Sequence, residues 1–167
     1  MPIVTLKHEI DCGEDRFWKL FFEKDFNERL YREALGFPYF EVVETKETET
    51  KITRRAKGQP KMNAPAAVQR VLGSNFRYTE DGTYDKATKI FRWKMVPNTL
   101  EGKIIQDGSV RVEPIGEGKV NRIVELIIEA KVMLVGGMIE SMAEKQLRDG
   151  WNASHKFMNQ WLKDHPA

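Results

Sequence analysis

The chain has 167 residues, a length that suits one domain with a sizeable core, and we expect that domain to span residues 1–167. Charged residues make up 31% and apolar residues 41%, which excludes a disordered chain. The formal net charge is only +2, so the composition disfavours a nucleic-acid partner. Basic clusters such as Arg54–Arg55 with Lys57 and Lys61 are interpreted as solvated strand ends.

A single cysteine, Cys12, excludes an internal disulfide and a metal site built from several thiolates. The N-terminus lacks the order of basic, apolar and small residues that is typical of a signal peptide. Apolar runs are all far shorter than the ~20 residues that span a bilayer. We therefore expect a cytoplasmic protein without an integral membrane segment, for which transient membrane contact stays open.

The first elements are a strand and two short helices. Residues 3–10 alternate apolar and polar, which predicts a half-buried strand. Residues 14–22 carry apolar side chains at helical spacing, which predicts the first short helix. A second helix is predicted from Asp25, a plausible N-cap, to Ala34, and Gly36 ends it.

A long β region follows the two helices. Six further strands are predicted, at residues 39–45, 50–56, 74–84, 88–96, 104–113 and 119–133. Residues 57–65 are predicted to form a loop that leads into a short helix at 66–72, and we expect 57–72 to be a mobile lid. Short connections require antiparallel neighbours. Gly82 is interpreted as the site of a β-bulge.

The last element is predicted to be a long amphipathic helix over residues 137–163, which contain no proline. A run of strands followed by a helix indicates an α+β fold, here a curved antiparallel sheet of about seven strands around that helix. One helix cannot cover such a sheet, so a cavity is expected between them. Gly136–Gly137 allow a sharp turn into the helix or, alternatively, a flexible gate.

Three segments carry a resemblance to a known group of proteins: Ala64 to Gly73, Tyr78 to Gly82, and Leu134 to Glu140. With this order of elements, the chain resembles the START-like (helix-grip, SRPBCC) superfamily. Within it, the chain is most similar to an uncharacterised bacterial family known only as a domain of unknown function. The resemblance implies the helix-grip fold and a lipid or other hydrophobic small molecule as partner, and it carries over no catalytic residue.

Strand alternation and the helix pattern predict the cavity wall. Methionines around the start of the long helix either form a surface that suits varied apolar ligands or belong to ordinary core packing. Two charged residues, Glu80 and Arg122, share the inward parity. They either anchor a ligand's polar head or, near the strand ends, are partly exposed or form structural salt bridges. The predicted ligand-binding residues are Phe76, Tyr78, Glu80, Phe91, Trp93, Met95, Val110, Arg122, Leu126, Ile128, Met138, Met142 and Leu147.

Three functions stay open at this point. The first is binding or transport of a hydrophobic molecule, without a cofactor. The second is a cyclase or dehydratase, for which the only titratable candidates are Glu80, Arg122 and His8. The third is a protein-interaction module of the co-chaperone type. The three histidines lack metal-ligand spacing, so no metal site is predicted, and His8 is interpreted as a core histidine.

Overall fold

A computed structural model describes residues 3–166 of the chain. Seven strands and four helices follow one another in the predicted order. The strands are β1 (Ile3–Ile10), β2 (Tyr39–Glu47), β3 (Lys51–Gln59), β4 (Tyr78–Asp85), β5 (Ile90–Pro97), β6 (Ile104–Pro114) and β7 (Val120–Ala130). The helices are α1 (Glu14–Phe21), α2 (Lys24–Arg29), α3 (Ala66–Leu72) and α4 (Gly136–Asp164), and a π-helical turn, Leu30–Ala34, continues α2.

The strands form one curved antiparallel sheet in the order β1-β7-β6-β5-β4-β3-β2. All six neighbouring pairs are antiparallel, as short connections require. Helix α4 packs against β1 and β7, with Ile139, Met158 and Leu162 buried at helical spacing. The predicted α+β class and helix-grip arrangement are confirmed.

Helix α4 begins at Gly136, one residue earlier than predicted. A Cβ atom at Gly136 would lie 2.5 Å from the carbonyl oxygen of Ala130, whereas one at Gly137 would meet nothing within 4 Å. The preceding Leu134 is left-handed, with φ of 71°. Close backbone approach therefore explains Gly136, which supports the tight-turn interpretation of this corner.

The second helix differs from its predicted form. Glu23 occupies the N-cap position and makes no side-chain capping bond, so the expected N-cap role of Asp25 is wrong. Asp25 lies instead in the first helical turn, where a carboxylate interacts favourably with the helix dipole. The change to π-helical geometry at Leu30 was not predicted, because the apolar residues of this segment were assigned to one regular helix.

Several strand ends also differ from prediction. Strand β3 continues to Gln59, since its last residues pair with β2 on one side and β4 on the other. Residues 57–59 therefore belong to β3 and not to the predicted loop and lid. Strand β4 starts at Tyr78 rather than at residue 74, and β7 ends at Ala130. The predicted bulge at Gly82 is wrong, because pairing runs unbroken through that residue; the register shift lies in β2, between Val42 and Glu44.

Candidate ligand-binding cavity

A cavity of about 630 Å³ lies between α4, the π-helical turn and the inner face of the sheet. Most of its wall is aromatic or aliphatic, which is typical of small-molecule sites. Nine of the thirteen predicted residues lie in this wall: Phe76, Tyr78, Glu80, Phe91, Trp93, Met95, Arg122, Met142 and Leu147. Phe76 does so from the segment before β4 rather than from the strand.

Four predicted residues lie elsewhere. Val110, Leu126 and Ile128 have the expected inward parity, but they are packed in the core with exposed fractions of 0–3%. Met138 is 42% exposed and lies outside the wall, contrary to expectation. It precedes Ile139, a wall residue, by one position, which rotates its side chain about 100° around the helix.

Inward-facing glycines lie beneath three of the aromatic side chains. The rings of Phe91 and Trp93 lie over Gly82 and Gly108, so that a Cβ at either glycine would overlap them. A Cβ at Gly58 would lie 2.8 Å from the hydroxyl oxygen of Tyr78. Glycine at these positions lets the rings lie close to the sheet, which leaves the space above them to the cavity.

One end of the cavity, here the apolar end, is formed by a hydrophobic cluster distinct from the main core. Its residues come from the segments around α3, from the sheet and from the start of α4. They are Met62, Leu72, Phe76, Tyr78, Met95, Ile104, Ile139 and Met142. The flexible thioethers among them give this end a surface that can adapt to varied apolar shapes.

Arg54 reaches the cavity from β3, although it was interpreted as a solvated residue. The Arg54 side chain is only 8% exposed, and its guanidinium lies 3.9 Å from the carboxylate of Glu80. It donates a 2.7 Å hydrogen bond to the carbonyl of Phe21 and stacks over that ring and the ring of Phe91. The parity of Ala56 and Gly58, which point inward on the same strand, was the signal that could have found it.

Glu80 is the one acidic side chain deep in the cavity wall. Burial raises the pKa of this carboxyl, and the nearby Arg54 guanidinium opposes that increase. Burial also raises the pKa values of Tyr31 and Tyr78, with the negative charge of Glu80 adding to both. Neither tyrosine hydroxyl makes a hydrogen bond to another group among residues 3–166, so both are available to a guest molecule.

Arg122 lies in the cavity wall on β7 and is 2% exposed. Its guanidinium donates to Ser154 Oγ at 2.8 Å and to the carbonyl of Trp151 at 3.0 Å, both on α4. It also contacts His8 Nδ1 at 3.1 Å, and His8 Nε2 contacts Asn152 Oδ1 at 2.7 Å. This network joins β1, β7 and α4, and it agrees with the interpretation of His8 as a core histidine.

The cavity opens between the loop at residues 60–63 and the middle of α4. The exposed side chains of the wall are those of Lys61, Asn63, Lys145, Gln146 and Asp149. Lys145 and Asp149 form an ion pair of 2.6 Å within the helix. Segment 60–72 thus lies at the mouth, as the lid hypothesis requires; its mobility stays a prediction.

Other candidate sites have little support. Within residues 3–166, no three His, Cys, Asp or Glu side chains are grouped as a metal site would require. Cys12 is buried, and burial raises the pKa of its thiol to about 11, which is typical of an unreactive cysteine. A surface groove of about 530 Å³ beside α4 is lined mainly by polar side chains and contains no predicted ligand-binding residue. No helix of the described segment has the length and apolar content needed to span a bilayer.

Solved structures share this architecture at low sequence identity. A protein from Thermus thermophilus superposes with a TM-score of 0.70 at 17% identity, over 99% of this chain and 100% of that one. A START superfamily protein from Mycobacterium smegmatis gives 0.63 at 12%, over 95% and 98%. The Zhui aromatase/cyclase from Streptomyces sp. R1128 gives 0.66 at 10%, over 97% and 93%. These similarities show a START-like fold.

No curated protein sequence matches the chain. One protein-family model does match, over residues 5–162, which is nearly the whole chain. The sequence-based expectation of a START-like fold and an uncharacterised family is therefore confirmed. The chain belongs to the family described as Protein of unknown function (DUF2505).

Proposed function

We propose that this protein binds a lipid or other hydrophobic small molecule between α4 and the sheet, and carries it without transforming it. The observation that supports this most directly is the cavity of about 630 Å³ with its largely aromatic and aliphatic wall. A volume of about 300–1,000 Å³ is typical of small-molecule sites. Burial of apolar ligand surface at about 25 cal/mol per Å² favours binding, and lost freedom of the ligand offsets part of it.

The first experiment is native mass spectrometry of the purified protein, followed by extraction of any molecule that co-purifies. Fatty acids, sterols and an environment-sensitive apolar dye are then titrated into the wild type and into Met142→Trp. The larger indole is expected to fill the apolar end and weaken binding by at least about tenfold, since overpacking costs about 1–3 kcal/mol. Met138→Trp is the matched control, because Met138 lies outside the wall.

Absence of binding by the wild type to every probe would contradict the ligand-carrier function. In that case the interaction module of the co-chaperone type becomes the better hypothesis. Exposed apolar side chains at the corner before α4, those of Met133 and Leu134, would then be the first surface to mutate. The same corner is the natural place to look for the transient membrane contact that the sequence left open.

A second candidate function is a cyclase- or dehydratase-type enzyme, and Glu80 is the observation that favours it. A carboxyl with a raised pKa inside a cavity suits general acid–base catalysis near neutral pH. Two unbonded tyrosine hydroxyls in the same wall, and the arginine beside the carboxyl, would help to hold a polar substrate. The fold is shared with an aromatase/cyclase, which makes such chemistry possible on this scaffold but does not assign it.

Glu80→Gln separates the two functions. The substitution keeps the size of the side chain and removes its acid–base chemistry. If the protein is a carrier, wild type and variant release the same co-purified molecule. A product that has lost water relative to the molecule held by Glu80→Gln would instead establish the enzyme. Glu125→Gln, on the outer and exposed face of β7, is the control.

A further inference from the structure

Charges in the cavity wall do not cancel. Six charged side chains line it, and four of them form two opposite-charge pairs: Arg54 with Glu80 at 3.9 Å, and Lys145 with Asp149 at 2.6 Å. The remaining two are cations. Lys61 is exposed at the mouth, where water solvates it, whereas Arg122 is buried at the inner side. The uncompensated charge inside the cavity is therefore positive.

Arg122 has only neutral partners among residues 3–166. It donates to a serine hydroxyl, a backbone carbonyl and an imidazole nitrogen, and no carboxylate lies within ion-pair distance. Its Nε is buried without any acceptor. Burial lowers the pKa of the guanidinium to about 9, so the group is still a cation at pH 7. A buried cation without a counter-ion is strongly unfavourable, and native proteins normally pair such a charge.

The protonation pattern around Arg122 leaves donors for a guest. Because the guanidinium can only donate, His8 Nδ1 accepts, and His8 Nε2 carries the hydrogen that it donates to Asn152. Ser154 Oγ also accepts from Arg122, so its own hydrogen has no acceptor in the described chain. Ser154 contacts Arg122 directly and lines the cavity, and Tyr31 lines the same cavity, where the charge of Arg122 acts to lower the pKa of its hydroxyl against the larger opposing effects of burial and Glu80. Two hydroxyl donors thus line the same cavity as the buried cation.

We propose that the natural ligand carries one anionic group, a carboxylate in the simplest case, that lies beside Arg122, Ser154 and Tyr31, with its apolar body in the apolar end. This inference rests on the proposed carrier function and gives its ligand a chemical class. The anion supplies the missing counter-charge and accepts hydrogen bonds from the Ser154 and Tyr31 hydroxyls. Charge-assisted bonds of this kind are stronger than those between neutral groups.

A matched set of ligands tests the charge directly. Dodecanoate, dodecan-1-ol and dodecylamine share an alkyl chain and differ in head group, and each is titrated below its micelle concentration by dye displacement at pH 7.5. Wild type is expected to bind dodecanoate at least about tenfold more tightly than the alcohol, and the amine most weakly, because a hydrogen bond to a charged group is stronger than one to a neutral group. Equal affinity for the acid and the alcohol would overturn the inference and leave the carrier function intact.

Substitutions of Arg122 test whether this residue causes the preference for the acid over the alcohol. Arg122→Gln is expected to bind the alcohol like wild type and to lose the preference for the acid, whereas Arg122→Lys keeps part of it. Arg92→Gln makes the same change on an exposed residue of β5 and should leave both affinities unchanged. Retention of the preference in a folded Arg122→Gln protein overturns the inference.

Failure of the variant and failure of the proposal remain distinguishable. If Arg122→Gln does not fold, the order of the wild-type affinities for acid, alcohol and amine still tests the inference. Ser154→Ala provides a second test, because it should weaken the binding of the acid alone by about threefold or more. If wild type binds none of the three ligands, nor the dye, the carrier function fails and this inference fails with it.

Discussion

The two halves of helix α4 are held in different ways. The C-terminal half, residues 151–162, contributes the buried side chains of Met158 and Leu162 to the main core. It is also bonded to β1 and the residue that follows it: Asn159 accepts from the backbone N–H of Asp11 at 2.9 Å and donates to the carbonyl of Glu9 at 3.0 Å. Hydrogen bonding and close packing together fix this half to the sheet.

The N-terminal half, residues 136–149, lies over the cavity. Ile139 is buried, but the wall residues that follow it, Met142 and Leu147, keep part of their exposure. Among the described residues, its one side-chain bond to the sheet joins the carboxylate of Glu140 to the backbone N–H of Ala130 at 3.0 Å. One continuous helix thus combines an anchored half with a covering half, which allows the cover to move without loss of the fold.

The largest expected effect comes from truncation of the anchored half. Leu162→Ala should lower the free energy of unfolding by about 2–5 kcal/mol, because it leaves a cavity in a packed core. Met142→Ala should lower it by less than about 1 kcal/mol, since this side chain already borders open space. Urea denaturation of both variants measures the difference. Equal losses would contradict the division of the helix into two halves.

The corner at which the covering half begins offers a matched pair of substitutions. Gly136→Ala places a Cβ 2.5 Å from the carbonyl oxygen of Ala130, and the resulting backbone shift should cost about 1–3 kcal/mol. Gly137→Ala meets nothing within 4 Å and should stabilise the helix by about 0.5–1 kcal/mol. Thermal denaturation is the measurement. A stabilising Gly136→Ala would show that the corner is not closely packed.

Amide hydrogen exchange distinguishes the two halves without any substitution. Residues 151–162 should exchange more slowly than residues 137–149, because their opening requires disruption of the main core. The lid hypothesis adds that residues 60–65 exchange quickly, whereas residues 57–59, which belong to β3, do not. Bound dodecanoate should slow exchange in the covering half and the loop. Uniform rates along α4 would contradict this comparison.

Sequence patterns predicted the strands and helices because the apolar residues of most of these elements recur with a single period. Alternation in β1 and β7 and the helical spacing in α4 reflect one buried face each, so local pattern and global fold agree. Glu80 and Arg122 were found by the same alternation. The strand ends were less predictable, because backbone pairing with two neighbours extends β3 beyond the residues whose pattern is clear.

The polar part of the cavity shows where such reasoning fails. Arg54 stands beside Arg55, and two adjacent arginines suggested a solvated strand end, although one of them faces inward. Ser154 has an ordinary place in a helix, and only the tertiary structure brings it to Arg122, 32 residues away in the chain. Buried polar partners come from distant elements, so composition and period do not reveal them.

The smallest expected effect concerns pH and the bonds that hold the anchored half. Burial lowers the pKa of His8 below 6.5, and the charges of Arg122 and His155 act in the same direction, while the hydrogen bond to Asn152 opposes them. Below pH 6.5 the unfolded chain therefore binds more protons at this residue than the folded chain does. Stability from His8 is complete above about pH 6.5 and declines as the pH falls through that value toward the lower folded-state pKa.

His8→Gln removes this titration and keeps a side chain that can bond to Arg122 and Asn152. The wild type should lose more free energy of unfolding than His8→Gln between about pH 7.5 and pH 5.5, in urea denaturation at constant ionic strength. His155→Gln serves as the control for the neighbouring imidazole, whose ring centre lies 4.9 Å from that of His8. At the lower pH the protection factors, which correct for the slower intrinsic exchange of amides, should fall in residues 151–162 first, because the contacts of His8 with α4 lie in that half. An identical pH dependence in wild type and His8→Gln would show that the imidazole does not titrate against the anchored half.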